Sequence, residues 1–176
     1  MKNALWQTMC YQYVVSDWDN KKDKIKSLLN DNYFIHNGVF STDRSNNNLY
    51  SNDFLEIVKT QLQMFANEVG AESLRITDVW AVKYFKGDFH PPHTHSSYGY
   101  SGILYLDYDE EEHTGTYFVN SSTDHITDLT NLSLPNVFES MIVIVPSNVL
   151  HFTYPNKSEK IRMVIGFDIK IDKMMI

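Results

Sequence analysis

MIVIVPSNVLHFTYPNKSEKIRMVIGFDIKI, residues Met141 to Ile171, is the stretch whose reading decides the fold. Its first six residues are an apolar, β-branched run that Pro146 stops too early for a helix of ordinary length. A Ser-Asn turn, the short run HFTY and the polar turn PNKSEK follow. In IRMVIGFD the apolar residues Ile161, Met163, Ile165 and Phe167 alternate with Arg162, Val164 and Gly166, the period of a strand. Strand, turn and strand therefore repeat here on a short cycle.

Working upstream, LRITDVWAVKYF, SGILYLDY and GTYFVN carry the same rhythm, with EEEHTG as a turn. It stops at Ser73. Before it, Asp17–Leu29 predicts a helix with Trp18, Ile25, Leu28 and Leu29 on one side and lysines on the other. A second helix is predicted from a capping box at Asp53 and Glu56, with Leu55, Val58, Leu62, Phe65 and Val69 as its apolar stripe and Gly70 as its stop. The polar stretch Ser41–Asn52 reads as a loop, one placed to lie over a pocket. The expectation is a mainly β protein with flanking helices, a jelly roll. Residues 1–176 form one domain, of which about 1–72 are helical support.

Composition narrows the function. Lys+Arg 15 against Asp+Glu 22 gives a formal charge of −7, which disfavours nucleic acid as a primary partner. Cys10 is the one cysteine, so neither an internal disulfide nor a thiolate cluster can form. The start, MKNALWQTMCYQYVV, lacks a clean apolar segment, so neither a signal peptide nor a membrane span is expected. A reducing cytoplasm, or a host's cytoplasm for a viral chain, is the expected setting.

The segment Gly87–His95, GDFHPPHTH, concentrates three of the seven histidines. His93 and His95 are two apart, so on an extended chain both imidazoles leave one face and reach one metal. Pro91 and Pro92 stiffen the approach. His151 follows the buried run and turn, where a jelly roll can bring it back to the first pair. His36, His113 and His125 read as ordinary solvated or core histidines, and His90 as either a loop residue or a hydrogen-bonding support. Imidazoles alone admit Zn, Fe, Cu or Ni. Arg162, on the face opposite the apolar one, offers a fork suited to a carboxylate.

In these stretches the chain resembles the Fe(II)- and 2-oxoglutarate-dependent oxygenases, in their prolyl-hydroxylase-like, double-stranded β-helix group found in phages and marine bacteria. WAVKYFKGDFHPPHTH, SGILYLD, MIVIVPSNVLHFTYPN and KIRMVIGFD carry the likeness, over about Thr77 to Lys170. It implies iron on His93 and His151, with the distal carboxylate of 2-oxoglutarate on Arg162 and the Tyr105 hydroxyl beside it. The implied cofactors are Fe(II) and 2-oxoglutarate, with ascorbate admitted as a reductant. The implied reaction uses O₂, hydroxylates a peptide side chain or small metabolite, and releases succinate and CO₂. A homodimer is admitted. Trp80, Tyr84, Tyr98, Tyr100 and the Ser41–Asn52 loop are candidate walls of the substrate mouth.

One position departs. His95 stands where the family usually carries Asp or Glu. Three outcomes follow: ligation by three histidines, which the spacing favours; recruitment of another acid such as Asp88 or Asp124; or a weakened or inactive iron site. The same residues partly fit the cupins, whose three-histidine sites need no 2-oxoglutarate, although the glutamate of the first cupin motif is missing. A metal-free jelly roll acting as a binding module is the third reading.

Overall fold

The decisive stretch forms three strands, β8 (Met141–Pro146), β9 (His151–Phe152) and β10 (Arg162–Met174). The computed structural model describes residues 8–29, 33–36, 39–42, 48–123 and 129–174. Upstream lie β4 (Ala71–Tyr84), β5 (Tyr100–Asp107), β6 (Tyr117–Thr123) and β7 (Thr130–Ser133). The N-terminal part supplies α1 (Trp18–Leu28) and α2 (Asn48–Val69), and also three strands: β1 (Tyr11–Val14), β2 (Tyr33–His36) and β3 (Val39–Thr42). The sequence reading placed no strands there, because four-residue polar-apolar mixtures such as YQYV carry little period-two signal of their own.

Seven strands build one sheet in the order β1-β8-β5-β10-β4-β3-β2, and three build the other, β7-β6-β9. The middle of the large sheet is buried on both faces, which explains the unbroken apolar run of β8. Period two divides its side chains cleanly. Val79, Ala81, Leu104, Leu106, Ile142, Ile144, Met163, Ile165 and Phe167 face the helices and pack on Phe54, Val58, Leu62 and Phe65 of α2 and Ile25 of α1. Trp80, Val82, Tyr84, Tyr105, Val143, Val145 and Val164 face the small sheet and meet Phe118. This second layer holds the site. The architecture is the expected double-stranded β-helix backed by helices.

Two local expectations change. The capping box at Asp53 and Glu56 does not open α2, which starts five residues earlier at Asn48. The Ser41–Asn52 loop is accordingly shorter than expected: Ser41 and Thr42 finish β3, Asn48–Asn52 open α2, and residues 43–47 lie outside the described residues. Gly70, at φ 70°, does end α2, and β4 starts one residue later. Among the described residues no helix is long and apolar enough to cross a membrane.

Gly166 is the tightest point of the inner layer. It pairs with Trp80 across β10 and β4, and a Cβ there would come within 2.4 Å of the indole. Gly166→Ala is expected to destabilise the protein by about 1–3 kcal/mol, as overpacking does. Urea unfolding followed by tryptophan fluorescence checks it.

Candidate metal centre

Two turns bring the histidines together. After β4 the chain reverses at Phe85–Asp88, where Asp88 Oδ2 accepts the Phe85 N–H at 2.9 Å. Pro91 and Pro92 then lead into His93, whose N–H and C=O exchange two 3.0 Å hydrogen bonds with those of His151. His95 N–H donates to Ser147 O at 3.0 Å, in the turn between β8 and β9. The expected extended strand through His93 and His95 is thus a single bridge at His93 plus one further bond. Both side chains nevertheless enter one cleft.

The ligating atoms of His93, His95 and His151 all lie within 4.8 Å of one another, and His95 Nε2 is 3.3 Å from His151 Nε2. Nitrogens about 2.1 Å from a shared metal sit about 3 Å apart when adjacent, and the His95–His151 pair is already near that separation. Neighbours fix which nitrogen is presented. His93 Nδ1 donates to Pro91 O at 2.8 Å and His151 Nδ1 to Val149 O at 2.9 Å. Each Nε2 is left bare towards the cluster. His95 Nδ1 lies 3.3 Å from Asp168 Oδ1 but out of line for a full hydrogen bond. Trp80 stacks on the His95 ring at 5.2 Å, and His90 on His93 at 4.1 Å. Burial, with His93 beside it, holds the His151 imidazole down at about 3, so it is neutral and ready to ligate at physiological pH.

The same cleft is lined by these histidines and by Trp80, Tyr84, Ser101, Thr116, Thr153 and Val164. Arg162 stands behind it, 2% exposed. Its Nη1 donates to Thr114 O at 2.8 Å and its Nη2 to Thr116 Oγ1 at 3.4 Å, while its Cζ lies 4.6 Å from the Tyr84 ring centre. Nε has no partner, and among the described residues no carboxylate pairs with the guanidinium. Tyr105 is fully buried and its hydroxyl accepts the Thr116 N–H at 3.2 Å, keeping its own proton to give. Arg162 and Tyr105 therefore meet at Thr116, as a buried cation and hydroxyl without an anion. Burial keeps the Tyr84 phenol above its usual range despite Arg162.

Other sequence candidates separate. Asp88 closes its turn and is not in the cluster, and Asp124 lies outside the described residues. Of the four aromatics expected at the mouth, Trp80 and Tyr84 line the cleft. Tyr98 instead pairs with Lys170 on the surface, and Tyr100 packs on Phe65 at 4.9 Å on the helix side. His113 is a structural residue: Nδ1 accepts the Asp109 N–H and Nε2 donates to Lys160 O. His90, 3.4 Å from the Tyr84 hydroxyl, supports the cluster from behind, while His125 lies outside the described residues. Asp168, Ser101 and Ser147 were not anticipated. The alternation that puts Arg162, Val164 and Gly166 inward reaches Asp168 at its next step.

Comparison with known proteins bears on the family and the fold. Residues 78–168, just over half of the chain, match the family profile described as "Putative 2OG-Fe(II) oxygenase". A search of curated proteins found no match. Among solved structures, an oxidoreductase of the 2OG-Fe(II) oxygenase family from Burkholderia pseudomallei superposes with a TM-score of 0.68 at 13% identity, covering 95% of this chain and 86% of that one. HygX from Streptomyces hygroscopicus, solved with nickel, 2-oxoglutarate and hygromycin B, gives 0.65 at 12% identity, covering 94% and 84%. The viral collagen prolyl hydroxylase of Paramecium Bursaria Chlorella virus-1, in its 2-oxoglutarate complex, gives 0.57 at 14% identity, covering 93% and 96%. At such identities the likeness is one of fold.

Proposed function

Because the chain belongs to the 2OG-Fe(II) oxygenase family, we propose that it is an Fe(II)- and 2-oxoglutarate-dependent dioxygenase that hydroxylates a peptide side chain or a small metabolite. The observation that carries this reading is the buried, carboxylate-free guanidinium of Arg162 beside a cleft that also holds three converging imidazoles. A buried cation without a counter-ion is costly, and a bound dicarboxylate relieves that cost.

His93, His95 and His151 hold the metal through Nε2. Arg162 grips the distal carboxylate of 2-oxoglutarate, and Tyr105 donates its hydroxyl to the same group. Tyr84, protonated at neutral pH, and Thr116 line the channel between. When bound, Fe(II) and 2-oxoglutarate supply O₂ activation coupled to oxidative decarboxylation, with succinate and CO₂ as products. The protein's part is alignment and exclusion of water: Trp80, Val82, Val145 and Val164 keep the cleft walls apolar.

A donor set of three histidines, taken by itself, favours a cupin-type metal dioxygenase that does not use 2-oxoglutarate. Arg162 and Tyr105 have no assigned work in that alternative. Anaerobic addition of Fe(II) and then 2-oxoglutarate to purified protein separates the two. A visible charge-transfer band that needs both additions is the expected result. Tight metal binding with no such band would replace the oxygenase reading by the cupin one.

A further inference from the structure

The three imidazoles are not held alike. The Nδ1 atoms of His93 and His151 rest on neutral backbone carbonyls, those of Pro91 and Val149. His95 Nδ1, buried and without an aligned partner, has a carboxylate oxygen of Asp168 at 3.3 Å, and among the described residues no other acceptor touches it. Asp168 is itself fastened. Ser101 Oγ donates to Asp168 Oδ1 at 2.7 Å, Ser101 Oγ lies 2.9 Å from Ser147 Oγ, and Ser147 O receives the His95 N–H. A closed circuit of side chain and backbone thus grips His95 at both ends.

We propose that Asp168 is a positioning residue of the metal centre, aiming His95 Nε2 at the ion and supplying through the imidazole the negative charge that the family's usual carboxylate ligand supplies directly. The proposal rests on the reading that His93, His95 and His151 bind a metal. Its physical basis is general. A carboxylate on the far nitrogen fixes the tautomer of a ligating histidine and raises its donor strength. Three neutral imidazoles leave a divalent ion more positive than two imidazoles and a carboxylate do. Asp168 offsets that difference from one shell away, at the ligand that replaces the acid. Trp80, stacked on the His95 ring and seated on Gly166, limits the ring's other motions.

The test is a set of Co(II) titrations followed by visible absorption, on the full chain. Asp168→Asn keeps the side chain's shape but removes its charge, and metal affinity is expected to fall about 10- to 100-fold, with a shifted Co(II) band. In a His95→Asp background, which restores a carboxylate ligand and removes the imidazole, Asp168→Asn is expected to change affinity by less than about 2-fold. Urea midpoints of the metal-free variants separate folding from ligation. If Asp168→Asn does not fold, Asp168→Glu replaces it, with a loss of several-fold expected from the displaced carboxylate. Wild-type affinity in Asp168→Asn, or in that substitute, overturns the proposal, as does an equal loss in the His95→Asp background. His93→Ala is run in parallel. If it too binds Co(II) normally, the metal reading itself falls; if it abolishes binding while Asp168→Asn has no effect, this inference alone falls.

Discussion

His151→Ala is expected to lower metal affinity by roughly 100- to 1000-fold and to remove 2-oxoglutarate turnover with it. Zinc sites with four protein ligands bind with about 10–16 kcal/mol, so one ligand accounts for about 2.5–4 kcal/mol. Among the described residues, neither His90, turned towards Tyr84, nor Asp168, turned towards His95, is placed to replace it. Isothermal titration with Fe(II) under nitrogen measures the loss. The substitution also predicts a change in acid sensitivity. Burial holds the folded His151 near 3, well below the ordinary 6.5 of the unfolded chain. Between those values the unfolded chain binds a proton that the folded one does not, so stability rises with pH across the window and falls on acidification. The metal-free wild type is expected to lose about 2 kcal/mol from this group between pH 6.5 and pH 5. His151→Ala should lose that slope, read as urea midpoints at the two pH values. An unchanged slope would show that His151 takes up protons as freely folded as unfolded.

Arg162→Met is expected to weaken 2-oxoglutarate binding by about 2–3 kcal/mol, some 30- to 150-fold, while leaving metal affinity near wild type. Methionine fills much of the stem's volume, so the change isolates the guanidinium. Arg162→Lys is expected to recover only part of the loss. An ammonium is a point charge that cannot make the forked contact, and its stacking on Tyr84 is weaker. Loss of the buried cation should leave the cosubstrate-free protein at least as stable, because no partner carboxylate is orphaned. Competition against the charge-transfer band gives the affinities. Wild-type 2-oxoglutarate affinity in Arg162→Met would remove Arg162 from the site and return the protein to the cupin reading.

Much of this could be read from spacing alone. The alternation of Met163, Ile165 and Phe167 against Arg162, Val164 and Gly166 corresponds directly to the two cores on either side of β10. Period two places side chains without knowledge of any partner strand. Trp80, by contrast, could be named but not seated, since its contacts with His95 and Gly166 join three separate strands or turns. Tyr100 was misplaced for the opposite reason. It begins β5, and only the register with β10, Tyr100 opposite Ile169, shows that it turns to the helices. The start of α2 escaped because Asp53 and Glu56 imitate a cap inside a helix that begins in polar sequence. Asp168 continues the inward alternation of Arg162, Val164 and Gly166, but only the fold puts it against His95.

The paired backbones of His93 and His151 give the cluster a further physical meaning. The two residues are distant along the chain yet sit directly across from each other on the open margin of the small sheet. An ion shared by them would act as a clasp on that seam, closing a long loop much as a cystine would, an entropic constraint worth about 4 kcal/mol at this loop length. In a chain whose lone thiol can form no internal bridge, chemistry and mechanical fastening would then reside in one bond set.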